Sequence, residues 1–261
     1  MKGLPLNLLS AGWLVALSLI SQPTWAADAY TLEDLQALAE SQSWLELAEH
    51  LGDVPPSQRD QSWSQIAEQT TLGILETSLK QEAIIDGFLI GETLVTSYPS
   101  LKDSPEVMSL RAEIGLQAHE QCLQESFYDT SYCRESLTTL VQGDPQNLDL
   151  AFAAGKLVRL HANHWVAIPY FRQALATPSD SRPCGDEDIA LALVSGLSLP
   201  ASSTEIIDDS LAIAGGSCWE TLKSVLLTEL QADNPYFREN TCPLLQSKQA
   251  LDESTQALCQ L

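Results

Sequence analysis

The sequence predicts an all-α protein made of helical hairpins. Apolar residues recur at spacings of three and four along most of the 261 residues, which is the period of helices that bury one face. Runs of alternating apolar and polar residues, which are typical of half-buried strands, are few. Capping residues and Gly or Pro breaks interrupt the apolar pattern at intervals, so we expect short helices joined by turns.

The N-terminal segment has the anatomy of a secretory signal peptide. One early lysine precedes an apolar run over residues 8–20, and the small residues Thr24 and Ala26 occupy the positions of a cleavage site. A membrane-spanning helix needs about 20 apolar residues, more than this run offers, and no later run is long enough either. We therefore expect residues 1–26 to be removed and residues 27–261 to be periplasmic or secreted.

The chain is strongly acidic. It holds 35 Asp and Glu residues against 13 Lys and Arg, a formal net charge of −22. Such a charge repels phosphate backbones and anionic lipid headgroups, and no local cluster of basic residues offsets it. Nucleic acid is thus not an expected partner. Two interpretations of the charge stay open, since it either keeps an exported protein soluble or attracts a basic partner.

The first predicted helix starts at Thr31, which stands at capping-box spacing from Asp34. Ser43 is the expected cap of a second helix, and Gly52 and two nearby prolines would end it. The other predicted helices cover residues 61–80, 82–96, 105–122, 133–142, a central hairpin at 148–178, 186–197, 203–214, 218–231 and two short C-terminal segments. No Gly- or Ser-rich linker separates them. We expect one domain, with residues 98–105 as the best place for a division.

The central hairpin, residues 148–178, has an informative spacing of small and large residues. Gly155 lies twelve residues before Ala167, which is followed at four and seven residues by Phe171 and Ala174, and a proline closes the segment. Small residues let two helices touch, and a large one fills the space beside them. This pattern predicts two helices in close contact.

That spacing resembles one unit of the tetratricopeptide repeat, and Trp44, Trp63 and Trp219 begin segments that echo its start. The unit departs from the family pattern at Ala151 and Val158, where the family has Trp and Tyr, so a looser helical-hairpin repeat is the alternative. The resemblance implies an α-solenoid of stacked antiparallel hairpins. It also implies a protein that binds or scaffolds others.

The cysteines predict disulfides, because six of them lie in the part expected to be exported. Two antiparallel helices can be bridged only at positions about equally distant from their turn. This criterion favours the pairs Cys122 with Cys133, Cys184 with Cys218, and Cys242 with Cys259. A pair of Cys218 with Cys242 is centred near another turn signal and stays a competitor.

Two motifs suggest chemistry. Gly216-Ser217-Cys218-Trp219 reproduces the sequence around the nucleophile of papain-like proteases, but all four histidines precede Cys218, whereas that family's base follows its cysteine. A disulfide is therefore the expected role of Cys218. His161 and His164, three residues apart at a turn, could face one metal ion, but zinc and copper sites need three or four protein ligands. We expect polar loop histidines, no metal and no cofactor.

The sequence thus predicts a non-enzymatic periplasmic binding or scaffold protein that engages a protein or peptide partner. The alternative is an accessory or regulator of an envelope (peptidoglycan) hydrolase, or a hydrolase itself, because helical solenoids also form the arms of such enzymes. A third hypothesis is a purely structural factor without a groove. An exposed aromatic patch would favour the first, and two facing carboxylates in a deep cleft the second.

Overall fold

The computed structural model describes residues 29–125, 131–232 and 234–260, so the predicted signal peptide lies outside the described residues. Within these residues the fold is all-helical, with an isolated β-bridge between Ser179 and Arg182. The α-helices are α1 (Leu32–Glu40), α2 (Trp44–His50), α3 (Gln61–Lys80), α4 (Ile84–Ser97), α5 (Pro105–Glu125), α6 (Ser131–Gln142), α7 (Leu148–His161), α8 (Ile168–Ala174), α9 (Glu187–Leu197), α10 (Thr204–Gly215), α11 (Trp219–Glu229), α12 (Pro235–Ser247) and α13 (Glu253–Leu258).

Local signals explain where several helices begin. Thr31 and Asp34 form the predicted capping box, in which each side chain accepts a hydrogen bond from the other residue's backbone N–H. Asp60 caps α3 by accepting a hydrogen bond from the N–H of Trp63 at 3.0 Å. Ser43 precedes α2 as predicted, but its side chain makes no capping bond. The entry into α2 is therefore fixed by packing and by the preceding turn.

Three turns share an unusual backbone conformation. Gln42, Glu82 and Gln249 have φ values of 58°, 58° and 53°, in the left-handed region that favours glycine. In each turn the N–H of the next residue donates to the carbonyl five residues before it, at 2.9–3.0 Å. This bond closes a Schellman-type end of α1, α3 and α12. Each turn therefore carries a backbone cost of about 1–2 kcal/mol, which a glycine would avoid.

The odd-numbered and even-numbered helices pack differently. Consecutive helices from α1 to α11 contact each other, and the odd-numbered helices also form a continuous series of contacts, α1 with α3, α3 with α5, α5 with α7, α7 with α9, and α9 with α11. On the other side α8 packs on α10, and α10 on α12. No comparable packing joins α2, α4, α6 and α8 within the described part of the chain. These four helices are thus spread apart, and grooves open between them.

The core consists of two neighbouring hydrophobic clusters. The smaller one contains Leu35, Leu47 and Trp63, and the larger one continues through the C-terminal helices. Helices α3, α4 and α5 contribute to both clusters, and α4 and α5 pack on each other across the 3₁₀ turn Pro99–Asp103. Buried contacts therefore continue across residues 98–105, the segment that the sequence offers as the best place for a division.

The central hairpin has the close contact that its spacing predicts. A Cβ atom added to Gly155 in α7 would lie 2.8 Å from a ring carbon of Phe171 in α8, and Phe171, Ala167 and Ala174 are fully buried. The second helix of the hairpin, α8, has seven residues. It starts with the 3₁₀ turn His164–Ala167, because Pro169 favours the first turn of an α-helix and so sets the start of α8 at Ile168.

Arg182 holds the loop between α8 and α9. Its side chain is 9% exposed, and its guanidinium donates to the carbonyl of Ala174 at 3.2 Å and to that of Thr177 at 3.0 Å. It also forms an ion pair with Asp149 in the first turn of α7. These bonds satisfy carbonyls at the C-terminal end of α8 and fix the loop against the neighbouring hairpin.

The six cysteines form three disulfides. The Cα–Cα distances are 5.9 Å for Cys122 and Cys133, 5.3 Å for Cys184 and Cys218, and 5.6 Å for Cys242 and Cys259. These are the pairs that the turn-distance argument favours, and the competing pair of Cys218 with Cys242 is not formed. Such bonds indicate an oxidising environment outside the cytoplasm. In the described part of the chain, no helix combines the length and the apolar character that crossing a bilayer requires.

Candidate binding grooves

Three grooves follow one another along the side where the even-numbered helices are spread. The α2–α4 groove has a cavity volume of about 470 Å³, the α4–α6 groove about 450 Å³ and the α6–α8 groove about 570 Å³. These volumes lie in the range of protein pockets that hold small ligands or a few side chains of a partner. The grooves are therefore the candidate functional surface.

The α6–α8 groove is the largest and has aromatic walls. The 3₁₀ turn before α8 and the first turn of α8 place Trp165, Val166, Pro169 and Tyr170 along one side, and Val141 and Ile206 extend the apolar surface. Trp165 and Val166 are half-buried and Pro169 is exposed, so this apolar surface is open to solvent. Its polar lining consists of Glu135, Thr138, Thr139, Gln142 and Gln173.

Two hydrogen bonds organise this polar lining. The hydroxyls of Thr138 in α6 and Tyr170 in α8 lie 2.7 Å apart and tie the two helices across the groove. The Gln173 side-chain amide donates to the carbonyl of Pro145 at 3.3 Å, which fixes that side chain at the groove edge. Amide and hydroxyl groups beside an aromatic surface can bind the backbone and the apolar side chains of a peptide.

The α2–α4 groove combines an apolar floor with an acidic edge. Ile74 in α3 is buried and Ile90 in α4 is half-buried, and both line the groove together with the half-buried ring of Trp44. The exposed carboxylates of Glu46 and Asp86 stand at its edge. Among the described residues, no Lys, Arg or His lines this groove.

The α4–α6 groove lies above a buried ion pair. Its lining includes Phe88, the 47% exposed Leu89 and Glu92. The Glu92 carboxylate accepts a hydrogen bond from the buried guanidinium of Arg111 in α5, with the Nη2 donor at 3.0 Å. This pair holds α4 against α5, so Glu92 has a structural partner and is not a free acid of the groove.

His119 lies beneath the same groove, beside the disulfide of Cys122. Its side chain is 3% exposed, its ring meets Phe88 edge to face at 5.2 Å, and it lines a small cavity of about 50 Å³. Burial lowers the pKa of His119 below its usual 6.5. Its Nδ1 donates to the carbonyl of Gly115, which fixes the tautomer of the neutral ring.

Many Lys and Arg side chains pair inside the chain. Lys156 donates to Asp186 at 2.9 Å, and this hydrogen bond raises the lysine pKa. Interhelical ion pairs also join Arg111 to Glu92, Arg159 to Asp188 and Arg172 to Asp209, and the loop residue Arg182 pairs with Asp149 in α7. Because these cations are used for packing, the surplus of acidic groups faces solvent.

The motifs singled out in the sequence do not form a reactive centre in the described structure. The sulfur of Cys218 is bonded to Cys184 and is not a nucleophile in this state. His161 ends α7 and His164 begins the following 3₁₀ turn, and both are half-buried. Within the residues that the structure describes, no group of three or more His, Cys, Asp or Glu side chains could hold a metal ion.

Sequence reasoning missed the two aromatic residues that mark the grooves. The sequence pattern places Trp44 at the start of a repeat unit and gives no reason to single out Trp165. The one sequence feature that accompanies the position of Trp44 is Gly73 in α3, because a Cβ atom on Gly73 would lie 2.4 Å from the indole ring. Nothing in the sequence links Trp44 to Gly73, because the two residues belong to different helices.

Comparisons with known proteins give no family for this chain. No protein-family model matches it, and no curated protein or solved structure is similar enough to count as a match.

Proposed function

We propose that this chain is a non-enzymatic periplasmic binding protein that engages a protein or peptide partner through the grooves of its even-numbered helices. The observation that carries the proposal is the α6–α8 groove, with its volume of about 570 Å³ and the solvent-accessible aromatic surface of Trp165. Trp and Tyr are the side chains that contribute most to binding energy in protein interfaces. The three disulfides support an extracytoplasmic location.

The proposal includes an α-solenoid of stacked tetratricopeptide-like hairpins. The continuous contacts among the odd-numbered helices support it, because stacked repeats contact mainly their neighbours. The tight approach of Gly155 and Phe171 supports a tetratricopeptide-like crossing in the central hairpin. In such an architecture the gap between successive hairpins can hold a segment of a partner, as we propose for the α6–α8 groove.

A peptide matches the lining of the α6–α8 groove better than a small charged metabolite does. Glu135 is the one charged group among the described residues that line this groove, so these residues offer little electrostatic anchoring for an anion or a metal. Gln142 contributes a neutral amide to the same lining, and the hydroxyl oxygen of Thr139, whose hydrogen is donated to the Glu135 carbonyl, can still accept a hydrogen bond. Neutral polar groups beside an aromatic surface suit backbone amides flanked by apolar side chains.

The proposal can be tested with displayed peptides. Dodecapeptides selected against the oxidised protein should contain apolar and aromatic residues and should shift the indole N–H resonance of Trp165. Trp165→Ala should weaken their binding about 30-fold, the effect of losing a hot spot of about 2 kcal/mol. Val166→Glu should have a similar effect, because it places a charge in the apolar surface.

The matched control for these variants is Leu160→Ala. Leu160 is 63% exposed near the end of α7 and does not line the groove, so its removal should leave peptide affinity unchanged. Selected peptides that bind Trp165→Ala and Val166→Glu as well as the unmodified chain would contradict the proposal. So would a selection that enriches no peptide at all.

A further inference from the structure

We propose that the α2–α4 groove is a second and separate binding site, and that its occupant is an apolar segment of another protein that carries Lys or Arg. The groove is about 470 Å³ in volume, enough for a few large side chains of such a segment. This inference does not depend on ligand binding at the α6–α8 groove, since the two share no lining residue.

The floor of the groove provides an apolar surface. Ile74 and Ile90 lie between α2 and α4, and Gly87 lets α4 approach α3 so closely that an added Cβ atom would lie 2.1 Å from the Ser78 hydroxyl. Leu45 also lines the groove and is 61% exposed, more than most residues of its kind. Contact with apolar side chains of a partner would remove this surface from water.

Trp44 provides an aromatic surface with an available donor. Its indole lies directly on α3, where the missing side chain of Gly73 makes room for it. The same half-buried ring lines the groove, and its N–H has no hydrogen-bond acceptor among the described residues. A cation above an indole ring is attracted by the negative face of the ring, more strongly than above other aromatic residues.

Charge complementarity identifies the occupant as cationic. The Asp86 carboxylate has no ion-pair or hydrogen-bond partner among the described residues, and Glu46 accepts one hydrogen bond, from the Tyr30 hydroxyl at 3.1 Å. Lys80, on the neighbouring α3, pairs with Glu76 at 3.4 Å and does not line the groove. The two acidic groups at the edge therefore have no basic counterpart among the described residues that line the groove, and a Lys or Arg of the partner would supply it.

Other occupants match the groove less well. A second copy of the chain carries the same net charge of −22 and would be repelled at long range. The chain's own residues 1–28 contain a single basic side chain, Lys2. A basic partner is instead steered toward the chain by its overall negative field, which makes its association rate depend on ionic strength.

The test uses tryptophan indole N–H resonances of the disulfide-bonded protein. Beyond residue 26 the chain holds four tryptophans, so Trp44 and Trp165 report on one groove each, while Trp63 and Trp219 serve as internal references. The probe is an acetylated hexapeptide that alternates lysine and leucine. Two comparison peptides replace its lysines by glutamate or its leucines by serine.

The lysine–leucine peptide should shift the Trp44 resonance in a saturable way, and both comparison peptides should fail to do so. Its binding should weaken as salt is raised. Glu46→Gln combined with Asp86→Asn should weaken it about three- to tenfold, the range for two exposed charge pairs. The control is Glu33→Gln combined with Glu49→Gln, which removes the same charge from exposed sites outside the groove and should have a much smaller effect.

Four results would overturn the inference. A Trp44 shift of equal size with the glutamate peptide, or one that the double variant leaves unchanged, means that the occupant is not cationic. A Trp44 shift that depends on protein concentration alone assigns the groove to a second copy. A shift of Trp165 without Trp44 leaves the proposed function standing but removes this second site.

Discussion

Gly155→Ala should destabilise the protein, although alanine is the better helix former. At an ordinary helical position this exchange stabilises by about 1 kcal/mol. Here the new Cβ atom would lie 2.8, 2.9 and 3.2 Å from three carbons of the Phe171 ring, all shorter than normal contact distances. Phe171 is fully buried and cannot move away without disturbing its neighbours. Overpacking of about 3 kcal/mol therefore leaves a net loss of about 2 kcal/mol.

The assay is urea unfolding of the oxidised protein, followed by circular dichroism. Gly52→Ala is the matched control, because its added Cβ atom would meet only the Tyr98 hydroxyl, at 3.6 Å. We expect that variant to stay within about 0.5 kcal/mol of the unmodified protein. Phe171→Leu should cost stability by itself but should remove the clash, so the double variant should be more stable than the sum of the two single effects predicts.

A Gly155→Ala variant that is as stable as the unmodified protein would refute this reasoning. It would mean that the Phe171 ring does not lie on α7, and the tetratricopeptide-like crossing of the central hairpin would lose its main support. A destabilisation that is fully additive with that of Phe171→Leu would show instead that the loss has another cause.

Other positions give independent tests by urea or thermal unfolding. Glu82→Gly should stabilise by about 0.5–1 kcal/mol, because glycine relieves the left-handed backbone, whereas Gln81→Gly beside it, at φ −98°, should destabilise. Ala167→Trp should cost more than about 3 kcal/mol at its fully buried site, and His161→Ala, half-buried at the end of α7, far less. Because the pKa of His119 is below 6.5 when folded, its contribution to stability is present above pH 6.5 and lost as the pH falls from there toward the folded pKa, by at most about 1.4 kcal/mol per pH unit. His119→Gln should flatten that part of the pH profile, and an unchanged slope in this variant would rule out this origin.

The positions of the helices were predictable because they depend on nearby residues. Thr31 and Asp60 act as caps within three residues, and Pro105 starts α5, so one segment contains the whole signal. The disulfide pairs were predictable for a related reason. A bridge between adjacent helices is limited by its distance from the turn, as the pair of Cys122 and Cys133 shows.

The left-handed turns that end α1, α3 and α12 were not predictable, because they lack the glycine or asparagine that usually marks such a helix end. Gln42, Glu82 and Gln249 occupy positions where glycine or asparagine is the usual signal. The packing of the adjoining helices imposes the left-handed conformation and outweighs its local cost. The start of α8 at Ile168 is not predictable from the pattern either, because helical periodicity continues through the 3₁₀ turn before Pro169.

The grooves could not be predicted, because they depend on distances between helices that are far apart in sequence. Residues of α6, α8 and α10 meet around Trp165, and residues of α2, α3 and α4 meet around Trp44. The spacing of α2, α4, α6 and α8 results from packing among the odd-numbered helices. Hydrophobic periodicity shows which face of each helix is buried, but it does not show how far apart two exposed faces lie.

The spread of the even-numbered helices explains why one disulfide lies where it does. Helix α6 has a groove on each side, so it packs mainly on its sequence neighbours α5 and α7. A helix with two open sides buries less apolar surface and is held more weakly than its neighbours. The bond between Cys122 and Cys133 closes a loop with a sequence separation of 11 and stabilises by about 3 kcal/mol. It thus fixes α6 on α5 without filling either groove, and the Thr138–Tyr170 hydrogen bond sets its distance from α8. The Cys122–Cys133 disulfide therefore holds α6 in place where the grooves on both of its sides leave it with little packing against α4 and α8.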